Sequence, residues 1–239
     1  MTENCFNNVT ERYQRICEKI AAAAQSVGKR AEDITFLAAT KTVEPAVINH
    51  AISLGLRYIG ENRVQELLSK YDAYDLDHAS LQFIGHLQTN KVRQVVGKVD
   101  LIQSVDSERL AAEIARCSKK LGITTDILLE VNIGREENKS GVMPEQLPEL
   151  IEKVRAFDAI RVKGLMAIPP ICENAQENSK FFDNMRNIFL DIKGKNIDNI
   201  SMDILSMGMS DDYEEAIRCG ANMVRIGSAL FGARNYNVQ

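Results

Sequence analysis

The residues most able to do chemistry in this chain are a lysine, an arginine and two glycine–serine turns, each tied to an apolar run. The lysine closes Ile34-Thr35-Phe36-Leu37-Ala38-Ala39-Thr40-Lys41, a nearly continuous apolar stretch that reads as a buried strand. Side chains alternate along a strand, so Thr35, Leu37, Ala39 and Lys41 share one face. If that face looks into a closed barrel, Lys41 is aimed inward at the mouth, above the small Ala39. A desolvated ammonium has a lowered pKa, and the neutral amine can form a Schiff base with a carbonyl compound. The plain alternative is a solvated lysine just past a strand end.

Arg225 shares a face of the last apolar run with Met223 and Gly227. Arginine is rarely buried unless paired, so it either closes an ion pair in a barrel floor or points toward an anion. The two turns are Ser206-Met207-Gly208-Met209-Ser210 and Gly227-Ser228. Gly208 and Gly227 let backbone N–H groups approach an anion closely, and the serines add hydroxyl donors. The first turn runs into a helix N-terminus, a favourable end for a phosphate. Asp211 and Asp212 oppose this, because with Glu214 at capping-box spacing they already complement the helix dipole. Plain glycine turns with a serine cap are the competing account.

Other polar residues carry weaker signals. Lys139 lies close to Glu136 and Glu137 and reads as solvated, and His86 after Gly85 reads as a surface or capping histidine. Asn62 is an N-cap by residue type and a ligand contact by position. Met202, Met207 and Met209 could line a flat aromatic ligand, although core packing accounts for Met202.

These residues need a frame to bring them together. The chain has 239 residues, 45% hydrophobic and 26% charged, with a net charge of −4, which suits one domain, residues 1–239, with a sizeable core. The interspersed charges argue against a nucleic-acid or anionic-membrane surface. Five scattered cysteines without a CxxC read as reduced thiols of a cytoplasmic protein, and no zinc-type spacing appears. The N-terminus lacks a secretory signal pattern, and no apolar run is long enough to span a bilayer.

A helix is expected from Asn8 to Val27, closed by Gly28. Eight strands then alternate with helices, the strands centred on 34–41, 56–60, 81–85, 100–105, 125–131, 161–167, 202–206 and 222–226. The segment His86 to Val96 is expected to be helical, as are 45–54, 62–71, 107–121, 144–157, 174–191 and 211–219. This alternation predicts a single parallel (β/α)8 barrel, with a doubly wound open sheet as the rival. Nothing after strand eight is long enough to be its helix, so the N-terminal helix is expected to cover that place. In such barrels sites gather at the carboxyl ends of the strands, and phosphate often sits between the loops after strands seven and eight.

Five ordered stretches give the chain a specific resemblance over nearly its whole length: Ala38-Ala39-Thr40-Lys41-Thr42-Val43, Gly60-Glu61-Asn62-Arg63-Val64-Gln65-Glu66, Phe83 to Lys91, Leu205 to Asp212, and Val224 to Gly232. It resembles the pyridoxal phosphate homeostasis proteins. The resemblance implies a barrel like the N-terminal domain of alanine racemase, with pyridoxal 5′-phosphate (PLP) held as a Schiff base on Lys41. It places the phosphate contacts on Ser206, Gly208, Met209 and Ser210 and on Gly227 and Ser228, where relatives commonly carry threonine. Arg225 matches the arginine facing the pyridine nitrogen, and Asn62 joins the cofactor contacts. Arginine cannot accept that nitrogen's proton, so it should keep the ring unprotonated and a weaker electron sink. Leu81-Gln82 departs from the Trp-His that relatives often carry.

The racemases use a second, β-rich domain for a tyrosine base, and this chain shows no second proton donor in sequence. The expectation is therefore a monomeric PLP carrier, with PLP-dependent apo-enzymes as recipients and no nucleic-acid or membrane partner. A weak amino-acid racemase and a Schiff-base aldolase of sugar phosphates are the rivals.

Overall fold

The computed structural model describes residues 3–170 and 175–232. Its strands are β1 (Thr35–Ala39), β2 (Tyr58–Glu61), β3 (Ser80–Phe83), β4 (Leu101–Val105), β5 (Thr125–Val131), β6 (Ile160–Ala167), β7 (Ile200–Ser206) and β8 (Met223–Ile226). All pair in parallel in sequence order, and β8 pairs back to β1, closing the barrel. The helices are α1 (Glu3–Ser26), α2 (Pro45–Ser53), α3 (Val64–Lys70), α4 (Glu108–Leu121), α5 (Leu147–Val154), α6 (Ala175–Gly194), α7 (Tyr213–Arg218) and α8 (Ser228–Phe231).

Helix ends follow local chemistry. Pro45 occupies the first turn of α2, where its missing N–H costs nothing. The Ser107 hydroxyl accepts from Leu110 N at 3.4 Å to cap α4, and Gly122 ends that helix in the left-handed region at φ 69°. Alternation on the strands then divides two cores. Phe83, Ile127, Leu129, Val224 and Ile226 pack outward against the helices. Leu101, Leu128, Met166 and Met223, with Ile168 and Ile204, form a separate apolar plug. These residues alternate with the outward ones, so the plug fills the barrel interior.

The N-terminal helix lies where expected. Val9, Ile16, Ile20, Ala23 and Ala24 are buried, Tyr13 stacks on Phe36 of β1 at 5.9 Å, and α1 packs against α2, α7 and α8. The chain after β8 does form one further turn, α8, which the sequence reading missed; α1 shares the eighth helical place with it.

Three elements differ from expectation. Between His86 and Val96 only Thr89–Gln94 is helical, and as a 3₁₀ turn. Val92, Val95 and Val96 are β-branched and all buried, and a tighter turn seats Val92 and Val95 three apart on one face. The helix expected from Pro144 starts as a 3₁₀ turn, Pro144–Gln146, before α5. Helix α7 begins at Tyr213, and the capping box does not form. Asp212 instead turns back to accept from Met209 N at 2.6 Å, and Glu214 pairs with Lys19 of α1 at 2.6 Å.

Cys17, Cys117 and Cys219 are free thiols; Cys172 and the Cys5 side chain lie outside the described residues. Among the described residues no helix is long and apolar enough to cross a membrane.

Candidate cofactor site

Lys41 stands in the turn just past β1, half-buried, and both its neighbours are pinned from β2 and α3. The Thr40 hydroxyl donates to Glu61 Oε1 at 2.8 Å. Lys70 Nζ donates to the Thr40 carbonyl at 3.2 Å, to Glu61 Oε1 at 3.0 Å and to Glu66 Oε2 at 3.2 Å. Glu66 Oε2 accepts from Thr42 N at 2.7 Å, and Tyr74 donates its phenol proton to Glu61 at 2.6 Å. Thr42 is held at φ 64°, a conformation that β-branched residues rarely adopt. The peptide carrying Lys41 is therefore clamped on both sides by a partly buried ion-pair network centred on Glu61, whose Oε1 takes all of its donors while Oε2 has no hydrogen-bond partner among the described residues.

The strand next to β1 carries the arginine. Leu37 pairs with Arg225 and Ala38 with Ile226. One step further, a Cβ added to Gly227 would stand 3.4 Å from Ala39 Cβ and 3.3 Å from its carbonyl oxygen. The lysine strand and the second turn thus run side by side to the barrel mouth.

Above the apolar plug lies a polar layer. Gln103, Glu130, Ser206 and Arg225 each follow, by two residues, a plug residue on the same strand (Leu101, Leu128, Ile204, Met223). Two residues is one step of the same face, roughly 6–7 Å higher toward the carboxyl ends. Arg225 is 4% exposed and donates to Ser206 Oγ at 2.6 Å and to the Ala167 carbonyl at 2.9 Å. Among the described residues no carboxylate lies within 4.0 Å of it, so there it is held by neutral acceptors and not by an ion pair. Burial lowers its pKa to about 10, opposed by the charges of Glu130 and Asp212. Glu130 is buried too: Oε1 accepts from Ser140 at 2.9 Å, while Oε2 has no hydrogen-bond partner among the described residues. Burial raises the Glu130 pKa, and Arg225 counteracts that.

The two turns converge on one oxygen. Gly227 N–H and Ala229 N–H both donate to Ser210 Oγ, at 3.2 and 3.1 Å. Gly208 sits at φ 93° with its carbonyl accepting from Arg225 N at 3.0 Å, which locks the first turn onto β8. Met209 and Ser228 are exposed beside the pair. Two backbone donors aimed at a single acceptor, framed by Gly208 and Gly227, form the donor set that a phosphate oxygen requires. The residues present therefore fit a phosphorylated ligand.

Of the residues singled out in sequence, Lys41, Gly208, Met209, Ser210, Arg225, Gly227 and Ser228 come to the carboxyl ends of adjacent strands β1, β7 and β8. Ser206 belongs one layer lower, fully buried, its hydroxyl given to Gln103 Oε1 at 2.7 Å. Asn62 is not an N-cap: that position is Arg63, the Asn62 backbone passes close against Gly85, and its Oδ1 is buried without a hydrogen-bond partner among the described residues. Met202 and Met207 are core residues, so only Met209 of the three faces outward. Lys139 pairs with Glu136 at 2.9 Å, and His86 is exposed. The sequence reading missed Gln82, Gln103 and Glu130. Their signal was a polar residue inside an otherwise apolar strand, as in Leu81-Gln82-Phe83 and Leu129-Glu130-Val131.

Fold and rim together define an alanine-racemase-type barrel: the family described as "Alanine racemase, N-terminal domain" matches residues 16–235. The chain belongs to this family, and within it to the pyridoxal phosphate homeostasis proteins. It is 45% identical over 230 residues to the pyridoxal phosphate homeostasis protein of Aquifex aeolicus, covering 96% of this chain and 100% of that one. An unknown protein from Bifidobacterium adolescentis superposes with a TM-score of 0.92 at 34% identity, over 96% of this chain and 97% of that one. PipY of Synechococcus elongatus PCC7942, solved with PLP bound, superposes with a TM-score of 0.79 at 30% identity, over 91% of this chain and 100% of that one.

Proposed function

We propose that residues 1–239 form one PLP-binding domain that holds the cofactor on Lys41 and serves PLP homeostasis by keeping it and handing it to apo-enzymes. The cofactor supplies an aldehyde, with which the Lys41 amine condenses to a Schiff base with loss of water. The Gly227 and Ala229 N–H groups, with the Ser210 and Ser228 hydroxyls, hold the phosphate, and Gly208 and Met209 shape that turn. Arg225 meets the pyridine nitrogen as a donor-only group, which leaves that nitrogen unprotonated. Ser206 steadies Arg225 from below, and Asn62 offers its unpartnered oxygen to the ring.

The observation that carries this reading is the pair of backbone donors on β8's turn, adjacent in register to the strand of Lys41. PipY, alike over its full length, is a PLP-bound relative, and the curated relatives are named for homeostasis rather than for a reaction. A weakened electron sink also suits a carrier better than a racemase.

The test is spectroscopic. Protein mixed with PLP should gain a visible absorption band, and borohydride should fix the cofactor to Lys41. Lys41→Ala should lose the band. Cofactor attached to another lysine overturns the assignment, and a colourless protein that condenses with a sugar phosphate makes it an aldolase. Incubation with L-alanine should yield no D-alanine; steady turnover would make it a racemase.

A further inference from the structure

The buried arginine is held by a one-way chain of hydrogen bonds. Arg225 donates to Ser206 Oγ at 2.6 Å, Ser206 donates to Gln103 Oε1 at 2.7 Å, and Gln103 Nε2 donates to Gln82 Oε1 at 2.6 Å. Gln103 Nε2 also meets Met223 Sδ at 3.1 Å, and the second arm of the guanidinium rests on the Ala167 carbonyl at 2.9 Å. None of the four side chains is more than 4% exposed.

The direction of this chain is forced. Arginine has no acceptor, so Ser206 must receive from it and has one proton to give. That proton needs an acceptor, which fixes the oxygen of Gln103 toward Ser206 and its nitrogen toward Gln82. The amide of Gln103 is the turning point, because its oxygen receives from Ser206 while its nitrogen gives to Gln82 on the neighbouring strand. The chain draws on β3, β4, β7 and β8, and the Ala167 contact adds β6, so the guanidinium is referenced to most of the barrel wall. A buried network of this kind is rigid when every member is satisfied and costly when one is removed.

We propose that Gln103 is a positioning residue for the cofactor: through Ser206 it fixes Arg225 where the guanidinium opposes protonation of the pyridine nitrogen. This rests on the reading above that Arg225 meets that nitrogen. Gln103 touches no cofactor atom in this scheme. It acts by denying Arg225 a second orientation.

The experiment uses the full chain loaded with PLP. The wild type, Gln103→Leu, Gln103→Glu and Ser206→Ala are compared by absorption spectra across the neutral pH range and by borohydride trapping. In the wild type the visible band should hold its position as pH falls. Gln103→Leu and Ser206→Ala should show a new pH-dependent shift as the ring nitrogen becomes protonatable, with cofactor retention weakened about fivefold for one lost buried hydrogen bond. Gln103→Glu retains an acceptor for Ser206 and, if Gln82 turns its amide, closes the chain again; it should restore the pH-independent band. A residue that only supports packing would not give rescue by glutamate. If Gln103→Leu fails to fold, Ser206→Ala and Gln103→Glu still decide the matter. Trapping at Lys41 in every variant with an unmoved band overturns the role of Gln103, whereas failure to trap at Lys41 in the wild type overturns the parent reading instead.

Discussion

Leu37 of β1 stands directly opposite Arg225 of β8 in the parallel register that closes the barrel. The closure seam therefore joins the first strand of the chain to the last, and it brings the Lys41 turn against the Gly227 turn. Residues 188 positions apart in sequence are made neighbours by one ladder (225 − 37 = 188). Anything that loosens the seam should loosen the site.

The N-terminal helix is the first test of that idea. It covers the seam side of the barrel, burying Val9, Ile16, Ile20, Ala23 and Ala24 against α2, α7 and α8. Burial of one Ile or Val side chain stabilises by roughly 1.5–3 kcal/mol. Deleting residues 1–27 should destabilise the whole domain, and Ile16→Ala alone should cost about 2–5 kcal/mol. Urea unfolding measures both, and an unchanged midpoint for the deletion would remove this role for α1.

Gly208 is the second. At φ 93° it occupies left-handed space, and an added Cβ would stand 2.5 Å from Ala216 Cβ and 3.0 Å from Tyr213 Cα. Both atoms belong to α7, which cannot withdraw without lifting the turn that accepts from Arg225 N. Gly208→Ala should cost at least about 2 kcal/mol and weaken PLP retention. Gly194, in α6, has open space around its Cβ position, and Gly194→Ala should be neutral or stabilise by about 0.5–1 kcal/mol.

The serines of the cradle should separate free from loaded protein. Ser210 Oγ is the acceptor for Gly227 and Ala229 N–H, in the manner of a helix cap. Ser210→Ala should lower the melting temperature of the PLP-free protein by the equivalent of about 0.5–2 kcal/mol. Ser228 is exposed and makes no such cap, so Ser228→Ala should leave the free protein unchanged. Each should weaken PLP retention in equilibrium dialysis, and unchanged affinity in both would discredit the cradle.

How much of this was legible follows from where each signal lies. The strands, the Ser107 and Gly122 helix ends and the inward Met223–Arg225 face are local patterns, and a local pattern survives in a single sequence. The depth of Ser206 was not legible. Its turn reads Ser-Met-Gly-Met-Ser, and only the β6–β7 register, Met166 against Ser206, reveals that the first serine still belongs to the interior layer. The capping box at α7 failed for a similar reason: Glu214 meets Lys19, a partner 195 residues away. The clamp around Lys41 was equally hidden, since Lys70 and Tyr74 carry no sequence signal of a shared buried carboxylate.

That clamp yields the fourth prediction. The side chain of Glu61 is fully buried, and that of Lys70 is 13% exposed. Lys70→Met leaves a carboxylate without its cation and should cost about 3–5 kcal/mol, whereas the double change Lys70→Met with Glu61→Gln should recover part of the loss. Urea unfolding of the two variants measures this. Equal losses in single and double variants would show that the ion pair is not what holds the turn.

The last prediction concerns pH. Glu130 is 4% exposed, and burial raises its pKa above the ordinary 4.5. Ser140 and the positive charges of Arg225 and His86 oppose the rise, while Asp106 adds to it. A carboxyl with a raised folded-state pKa is bound to its proton more tightly in the folded than in the unfolded chain. Between the two values the folded state holds more protons, so stability falls as pH rises from about the unfolded value through the folded one. Glutamine at this position keeps an acceptor for Ser140 and has no charge to desolvate. The melting temperature of Glu130→Gln relative to the wild type should therefore increase as pH rises from about the ordinary carboxylate value through the raised folded-state value, and then level off. A difference that stays constant with pH would mean that Glu130 titrates as it does in the unfolded chain, and the orphaned Oε2 would then need an ionised carboxylate stabilised by Arg225.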